Sequence, residues 1–251
     1  MFQSQETDAA TLIDSLPVFA AWPAWARALL ARSAHMRHYF RGCKIISAGE
    51  EVRGFLVILD GVLSSFRHGD DGQHAMLALS MPGDVYALIP VLQGVRSSVD
   101  VYAHEHAHIL HIAQDSILEV LSRDSRPVVL LLELILKHFA DFVAQDPRFT
   151  RDPGERLNNL LLRLAERCGK ETERGLMIDV RLTQDDLAAL CSLSRQTINK
   201  EIRKLAEAGL IEKSYNTITL TDITRMRQCS PDCFNTGWPA RTPLMEILQL
   251  A

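Results

Sequence analysis

Eight glycines fall between positions 42 and 94, at 42, 49, 54, 61, 69, 72, 83 and 94, and the intervals between them leave no room for more than a short helix. What lies between them is β-rich: Phe-Leu-Val-Ile-Leu at 55–59, then 62–66, 75–79 and, just beyond, 99–103. Val, Ile, Phe and Leu suit a pleated, packed surface, and frequent turns cut them into short strands. Asp70-Asp71-Gly72 has the composition of a hairpin turn. Many short strands at regular turn spacing imply a small closed or two-layered β unit over about 35–113, preceded by a short helix near 23–33.

The chain then changes character. Twelve of the 16 residues at 128–143 are apolar, and Glu133, Lys137, His138 and Asp141 fall on one narrow helical stripe. A helix apolar over most of its circumference must be covered on two sides. Val128, Leu132, Ile135, Phe139 and Phe142 repeat at 4, 3, 4, 3, the rhythm of a coiled-coil seam. One side is expected to pack on the β unit and the seam to meet a second copy of the chain. Pro147 ends this helix, and Asp152-Pro153-Gly154-Glu155 opens another with an N-cap, a proline at the first position and an acidic third position. Leu157, Leu160, Leu161 and Leu164 form its apolar face, and 169–175 reads as a polar turn. The boundary between the two halves is expected between Gln145 and Asp152. Charge divides in the same place: 1–150 hold 12 basic and 17 acidic residues, 151–227 hold 14 and 12, and 228–251 hold 1 and 2.

Residues 182–220 are the most informative. Thr183 caps a short helix with Asp186 at its third position, Cys191-Ser192-Leu193 makes a tight turn, and Ser194 caps a second helix that Gly209 stops. Ile198, Ile202 and Leu205 face inward by their spacing. Arg195, Gln196, Asn199, Lys200 and Arg203 then share the outer face, and 213–220, bending at Tyr215-Asn216, reads as a two-stranded wing. This pattern fits a winged helix-turn-helix whose second helix enters the major groove of DNA. Arg195 suits guanine, Gln196 adenine, and Lys200 guanine or phosphate. Thr197 stands in the same first turn. Arg203, Lys204 and Lys213 are expected on phosphates, and Ser194 is expected to offer its hydroxyl and helix-end N–H groups to one.

On these residues the chain resembles the Crp/Fnr transcriptional regulators over roughly 15–225. Ser194-Arg195-Gln196-Thr197-Ile198 looks like that family's Ser-Arg-Glu-Thr-Val core. Gly49-Glu50, Gly61 and Pro82-Gly83-Asp84 match the turn glycines of its double-stranded β-roll, and 128–143 stands where it places its dimerisation helix. The resemblance implies an α+β chain in three parts. Residues 1–147 would form an N-terminal, jelly-roll-like β-roll that senses an effector and carries the dimerisation helix at about 115–146. Residues 148–227 would be the winged helix-turn-helix, and 228–251 a C-terminal extension. It also implies a homodimer, a near-palindromic site on double-stranded DNA, RNA polymerase as a partner, and no enzymatic activity. Tyr86, Leu88, Arg96, Ser97 and Ser98 correspond to the effector pocket. The family's cyclic-nucleotide binders carry a Glu for the ribose hydroxyls where this chain has Leu88, although Arg96-Ser97-Ser98 resembles their phosphate motif. Cyclic AMP is therefore not expected as the effector, and haem or another small molecule stays open. Residues 1–42 hold no cysteine, so the family's N-terminal iron–sulfur chemistry is not expected.

The run from His104 to His111, with His106 and His108 between, invites a metal-binding reading, and a cupin-like metal protein or enzyme is the alternative. That reading leaves the winged helix unexplained. Alignment with the family puts 104–106 in a surface turn and points His108 and His111 outward, so no resident metal is expected. Five scattered cysteines suit a reducing compartment, no run of 18 uncharged apolar residues occurs, and the acidic N-terminus is unlike a secretory signal, so a cytoplasmic protein without a membrane span is expected.

Overall fold

The computed structural model describes residues 9–68, 74–144, 152–214 and 217–229. Two helices, α1 (Ala9–Ser15) and α2 (Ala24–Ser33), lead into the strands β1 (His35–Tyr39), β2 (Lys44–Ile46), β3 (Gly54–Asp60), β4 (Leu63–His68), β5 (His74–Ser80) and β6 (Val85–Tyr86). A short helix α3 (Leu88–Gln93) precedes β7 (Asp100–Ala103) and β8 (Ala107–Ala113). The strands form two four-stranded sheets, ordered β1-β8-β3-β6 and β2-β7-β4-β5, which is the expected roll. By contacts the described residues make two compact units, one within 9–63 and 80–139, the other within 64–79 and 140–229.

Alternation along β3 and β8 explains why both read as almost continuous apolar runs. Leu56, Ile58, Ala107 and Ile109 point between the sheets, where they meet Ile46, Leu63 and Val101. Phe55, Val57, Leu110 and Ile112 point the other way, onto Phe19, Leu30 and Ile117 of the helical layer. A strand buried on both faces keeps no polar register. Gly61 makes the turn out of β3 with φ +83°, and a Cβ there would meet the His106 carbonyl oxygen at 2.0 Å. Asp100 anchors the second sheet from a buried position, accepting from the Ala48 N–H at 2.7 Å and from Lys44 Nζ at 2.9 Å.

After the roll come α4 (Gln114–Arg123) and α5 (Ser125–Ala144). The dimerisation helix expected at about 115–146 is therefore not one helix. Asp124 lies between the two in extended backbone (φ −154°, ψ 143°) and its side chain accepts from the Arg126 N–H at 3.0 Å. Pro127 accounts for the break: it has no N–H to bond the Arg123 carbonyl, its ring would clash there in a continuous helix, and it fits only a first turn. On α5, Leu131 is buried, and Leu130, Leu134 and Ile135 pack on the roll's helical-side core. Val128 (44%), Leu132 (44%), Leu136 (47%) and Phe139 (60%) stay exposed. The expected seam is thus corrected at one position: Ile135 turns to its own roll and Leu136 joins the open stripe. The side chain of Phe142 and the hinge at 145–151 lie outside the described residues.

The second unit contains α6 (Pro153–Cys168), β9 (Gly169–Thr172), β10 (Gly175–Ile178), α7 (Gln184–Cys191), α8 (Arg195–Glu207), β11 (Ile211–Ser214), β12 (Thr217–Leu220) and α9 (Ile223–Gln228). Asp152 caps α6 by accepting the Glu155 N–H at 2.8 Å. Leu157, Leu160, Leu161 and Leu164 are all buried. The stretch expected as a polar turn is instead the hairpin β9–β10, which extends the wing into a sheet ordered β11-β12-β10-β9. Lys170, Glu171 and Thr172 are exposed on this outer strand, so a polar sequence costs it nothing. The bend at Tyr215-Asn216 and the extension from 230, with Cys233 and Trp238, lie outside the described residues.

Replacing Gly61 by Ala is expected to destabilise the roll by more than the roughly 1–3 kcal/mol that a left-handed non-glycine residue costs, because backbone must also move. A urea midpoint unchanged from wild type would contradict this placement of the turn.

Candidate nucleic-acid interface

Three local signals set the geometry of α7 and α8. Thr183 Oγ1 accepts the Asp186 N–H at 3.1 Å while Asp186 Oδ2 accepts the Thr183 N–H at 2.8 Å, a reciprocal cap. Ser192 takes left-handed backbone (φ +52°) and turns the chain out of α7. Ser194 Oγ then accepts the Thr197 N–H at 3.1 Å and starts α8. Ile198 and Ile202 are buried against the rest of the unit, and Leu205 is half-buried.

That packing decides which side chains reach solvent. Arg195, Gln196, Lys200, Arg203 and Lys204 are exposed, and Thr197 and Asn199 are half-buried at the edge of the same face. Gln196, Asn199, Lys200, Arg203, Lys204 and Glu207 line one shallow open depression. Lys213 is exposed on β11, whose register partner at that point is Ile218. Every expected contact residue of the helix thus lies along one exposed side.

Three details differ from what the sequence suggested. The Ser194 hydroxyl accepts the Thr197 N–H in the cap and also shares a 2.8 Å hydrogen bond with Thr197 Oγ1. The Lys204 ammonium donates to Glu201 Oε1 at 2.8 Å. Glu201 itself is buried, 9% exposed at its side chain, and sequence reasoning missed it. Around the helix 201 lies about 60° from 198, at the margin of the inward arc, so spacing alone does not place it inside. Asp185 was also missed. Its Oδ2 lies 3.3 Å from Arg195 Nη1, between the first turns of the two helices. Arg195 is the first residue of α8, where the helix dipole disfavours a cation, and Asp185 offsets that. Both partners are exposed, so the pair orients Arg195 more than it stabilises the fold.

Two cysteines of this unit, Cys191 and Cys168, are wholly or partly buried. Burial pushes the Cys191 thiol up to about 12 and the Cys168 thiol up to about 11.

In the roll, the five effector-pocket residues differ in burial. Tyr86 is half-buried between the two cores, and Leu88, the first residue of α3, is buried in the core on the helical side. Arg96 is exposed and donates to the Gly49 carbonyl at 2.7 Å. Ser97 is buried with its hydroxyl donating to the Val99 carbonyl at 2.8 Å, and Ser98 is exposed. Residues 104–106 do form a turn and His108 lies on the outer face, but His111 points inward, its Nε2 3.0 Å from the Tyr39 hydroxyl. The outward placement expected for His111 is corrected by the register: it shares a face with Ile109 and Ala107. Among the described residues no group of three or more His, Cys, Asp or Glu is placed to hold a metal ion.

The chain's relatives agree with this geometry. A Crp-like helix-turn-helix domain model matches 155–229, and a cyclic nucleotide-binding domain model matches 36–124. The chain is 25% identical over 209 residues to a "CRP-like cAMP-activated global transcriptional regulator" of Mycobacterium tuberculosis, covering 80% of this chain and 90% of that one. It is 24% identical to a "Cyclic AMP receptor protein" of Thermus thermophilus, covering 76% and 86%. The solved structure of FixK2 from Bradyrhizobium japonicum superposes with a TM-score of 0.68 at 17% identity, covering 78% of this chain and 97% of that one. The chain belongs to the Crp/Fnr family of transcriptional regulators, with a cyclic nucleotide-binding-type roll and a Crp-like DNA-binding head. The cupin-like alternative finds no support in these matches.

Two outcomes follow for the head. Ser194→Ala is expected to cost about 0.5–2 kcal/mol of stability through loss of the cap, read by thermal melting at fixed protein concentration. Alkylation at mildly alkaline pH is expected to label exposed Cys43 in the native protein and Cys191 only after unfolding; rapid native labelling of Cys191 would show that α7 does not pack as described.

Proposed function

We propose that the chain works as a homodimer that binds a near-palindromic site on double-stranded DNA through α8, in the cytoplasm, as a regulator and not an enzyme. The observation that carries the reading is the single exposed side of α8, with Arg195, Gln196 and Lys200 toward its N-terminal end and its other face buried through Ile198 and Ile202. In this reading Arg195 pairs with guanine and Gln196 with adenine. Arg203 and Lys213 hold phosphates. Lys204 reaches one only by leaving Glu201. RNA polymerase is the expected protein partner once the site is occupied.

The exposed stripe Val128, Leu132, Leu136 and Phe139 supports the dimer, because four large apolar side chains at helical spacing on α5 are left uncovered in a single copy. The effector of the roll is a molecule other than cyclic AMP. The Mycobacterium tuberculosis relative is named for activation by cAMP. Here Leu88 stands, buried in an apolar core, where the family's ribose-binding Glu belongs. Arg96 is turned to a backbone carbonyl.

Binding-site selection from random duplexes tests the reading. Arg195→Ala is expected to lose about 1–3 kcal/mol and relax one base position, whereas Lys213→Ala weakens all sequences alike and flattens the salt dependence. Gln196→Glu is expected to change the preferred base at its position, since Glu accepts only. Selection of one common half-site by wild type and both α8 variants would overturn the placement of α8 in the groove. Separately, replacing Leu136 and Phe139 by Glu is expected to give monomers in sedimentation; an unchanged dimer mass would remove α5 as the interface.

A further inference from the structure

Nine histidines occur in the chain, and five of them stand on or directly beside one two-stranded ribbon that DNA binding does not use. β1 pairs antiparallel with β8, placing His35 opposite His111 and His38 opposite His108. The two pairs occupy opposite faces. On the inner face, the His35 and His111 rings stack at 5.2 Å and 18°. On the outer face, His38 stacks on His108 at 4.7 Å and on His106 at 6.0 Å, with the Phe40 ring edge-on at 4.7 Å from His38.

We propose that this ribbon is a proton-operated latch: neutral imidazoles let β1 stay zipped to β8, and protonation drives β1 off the edge of the roll.

Like charges directly opposite one another weaken an antiparallel ladder. Histidine is the side chain whose charge changes in the mildly acidic range. β1 is an edge strand of its sheet, so its release breaks a single ladder. The charges around the ribbon are of both signs. On β1 itself, Arg37 shares the inner face with His35 and adds a permanent positive charge. From β3, Asp60 approaches His108 Nδ1 at 3.7 Å, but its carboxylate is largely exposed. The turn before β8 carries His104 and Glu105. Helices α2 and α4 share the core of Leu110 and Ile112. Their charges are Arg27 and Arg32 on α2, and Asp115, Glu119 and Arg123 on α4. Arg27 is ion-paired with Asp14 and Arg123 with Glu119.

His111 already behaves as such a site. Burial first, then the charges of His35 and Arg37, lower it to about 4. A base whose folded value lies below its unfolded value stabilises the fold fully above the unfolded value, near 6.5. That contribution is lost as pH falls from there toward 4. The inner face of the ladder, where His35 and His111 stack, is thus weakened by protons.

Hydrogen exchange of the full-length protein, between about pH 7.5 and about pH 5.5 in the presence of a chelator, tests the latch. Each net proton taken up on opening shifts the equilibrium about tenfold per pH unit. Residues 35–39 are therefore expected to lose at least about tenfold in protection at the lower pH, after correction for intrinsic exchange, while 157–165 in α6 keep theirs. His38→Gln with His111→Gln should abolish the loss. If the double variant does not fold, His38→Gln alone, on the exposed outer face, should reduce it. Unchanged protection of 35–39 would overturn the proposal. So would an equal loss in a folded variant, a simultaneous loss in α6, or a change that appears only when zinc replaces the chelator.

Discussion

The DNA-binding head depends on the burial of one face of α8. Ile198 and Ile202 are removed from water at the junction of α6, α7 and α8, and a 13-residue helix fixed along that line cannot rotate. Burying an Ile side chain contributes roughly 1.5–3 kcal/mol, so rolling the helix to hide Arg195 or Lys200 instead would lose that gain and desolvate charge as well. The caps act on the other degree of freedom. Ser194 fixes where α8 begins, and the reciprocal pair of Thr183 and Asp186 fixes where α7 begins, so the four-residue geometry around Ser192 is set from both ends.

Charge on the exposed side is arranged within that frame. Asp185 holds Arg195 at the start of the helix and Glu201 holds Lys204 one turn from its end. Each carboxylate limits the rotamers of a long cation without neutralising the whole face, and Lys200 and Arg203 stay exposed beside them. An arginine already oriented gives up less rotamer freedom on pairing with a base than a free one. The roll follows a different rule. Its strands β3 and β8 are buried on both faces, one against the opposite sheet and one against the helices, and α5 adds Leu131 to the second of these cores.

The sequence made the head legible because its signals are local. Thr183, Asp186, Ser194 and Gly209 act within a few residues of themselves, and the inward spacing of Ile198 and Ile202 needs no tertiary knowledge. What escaped was set by contacts over longer range. Whether Ile135 or Leu136 faces the roll is a rotation of about one position around α5, and only the packed core decides it. The break at Asp124 was hidden because both flanking segments are good helices; Pro127 was the available sign. Lys170 to Thr172 looked like a turn because an outer strand with a solvent face needs no apolar alternation. His111 was assigned outward although its register with Leu56 and its neighbours Ile109 and Ala107 place it inside. Glu201 shows the limit of pattern reading, since a buried carboxylate beside an apolar stripe is expected on no simple periodicity.

In the proposed complex the side chain of Arg195 lies against a guanine edge in the major groove. Methylation protection at guanine N7 on a selected duplex reads that contact directly. Protection of one guanine in each of two half-sites, spaced by about 34 Å or one helical turn, and its loss in Arg195→Ala while the rest of the footprint remains, is the result expected. A footprint without protected guanines, or with protection that survives Arg195→Ala, would contradict it.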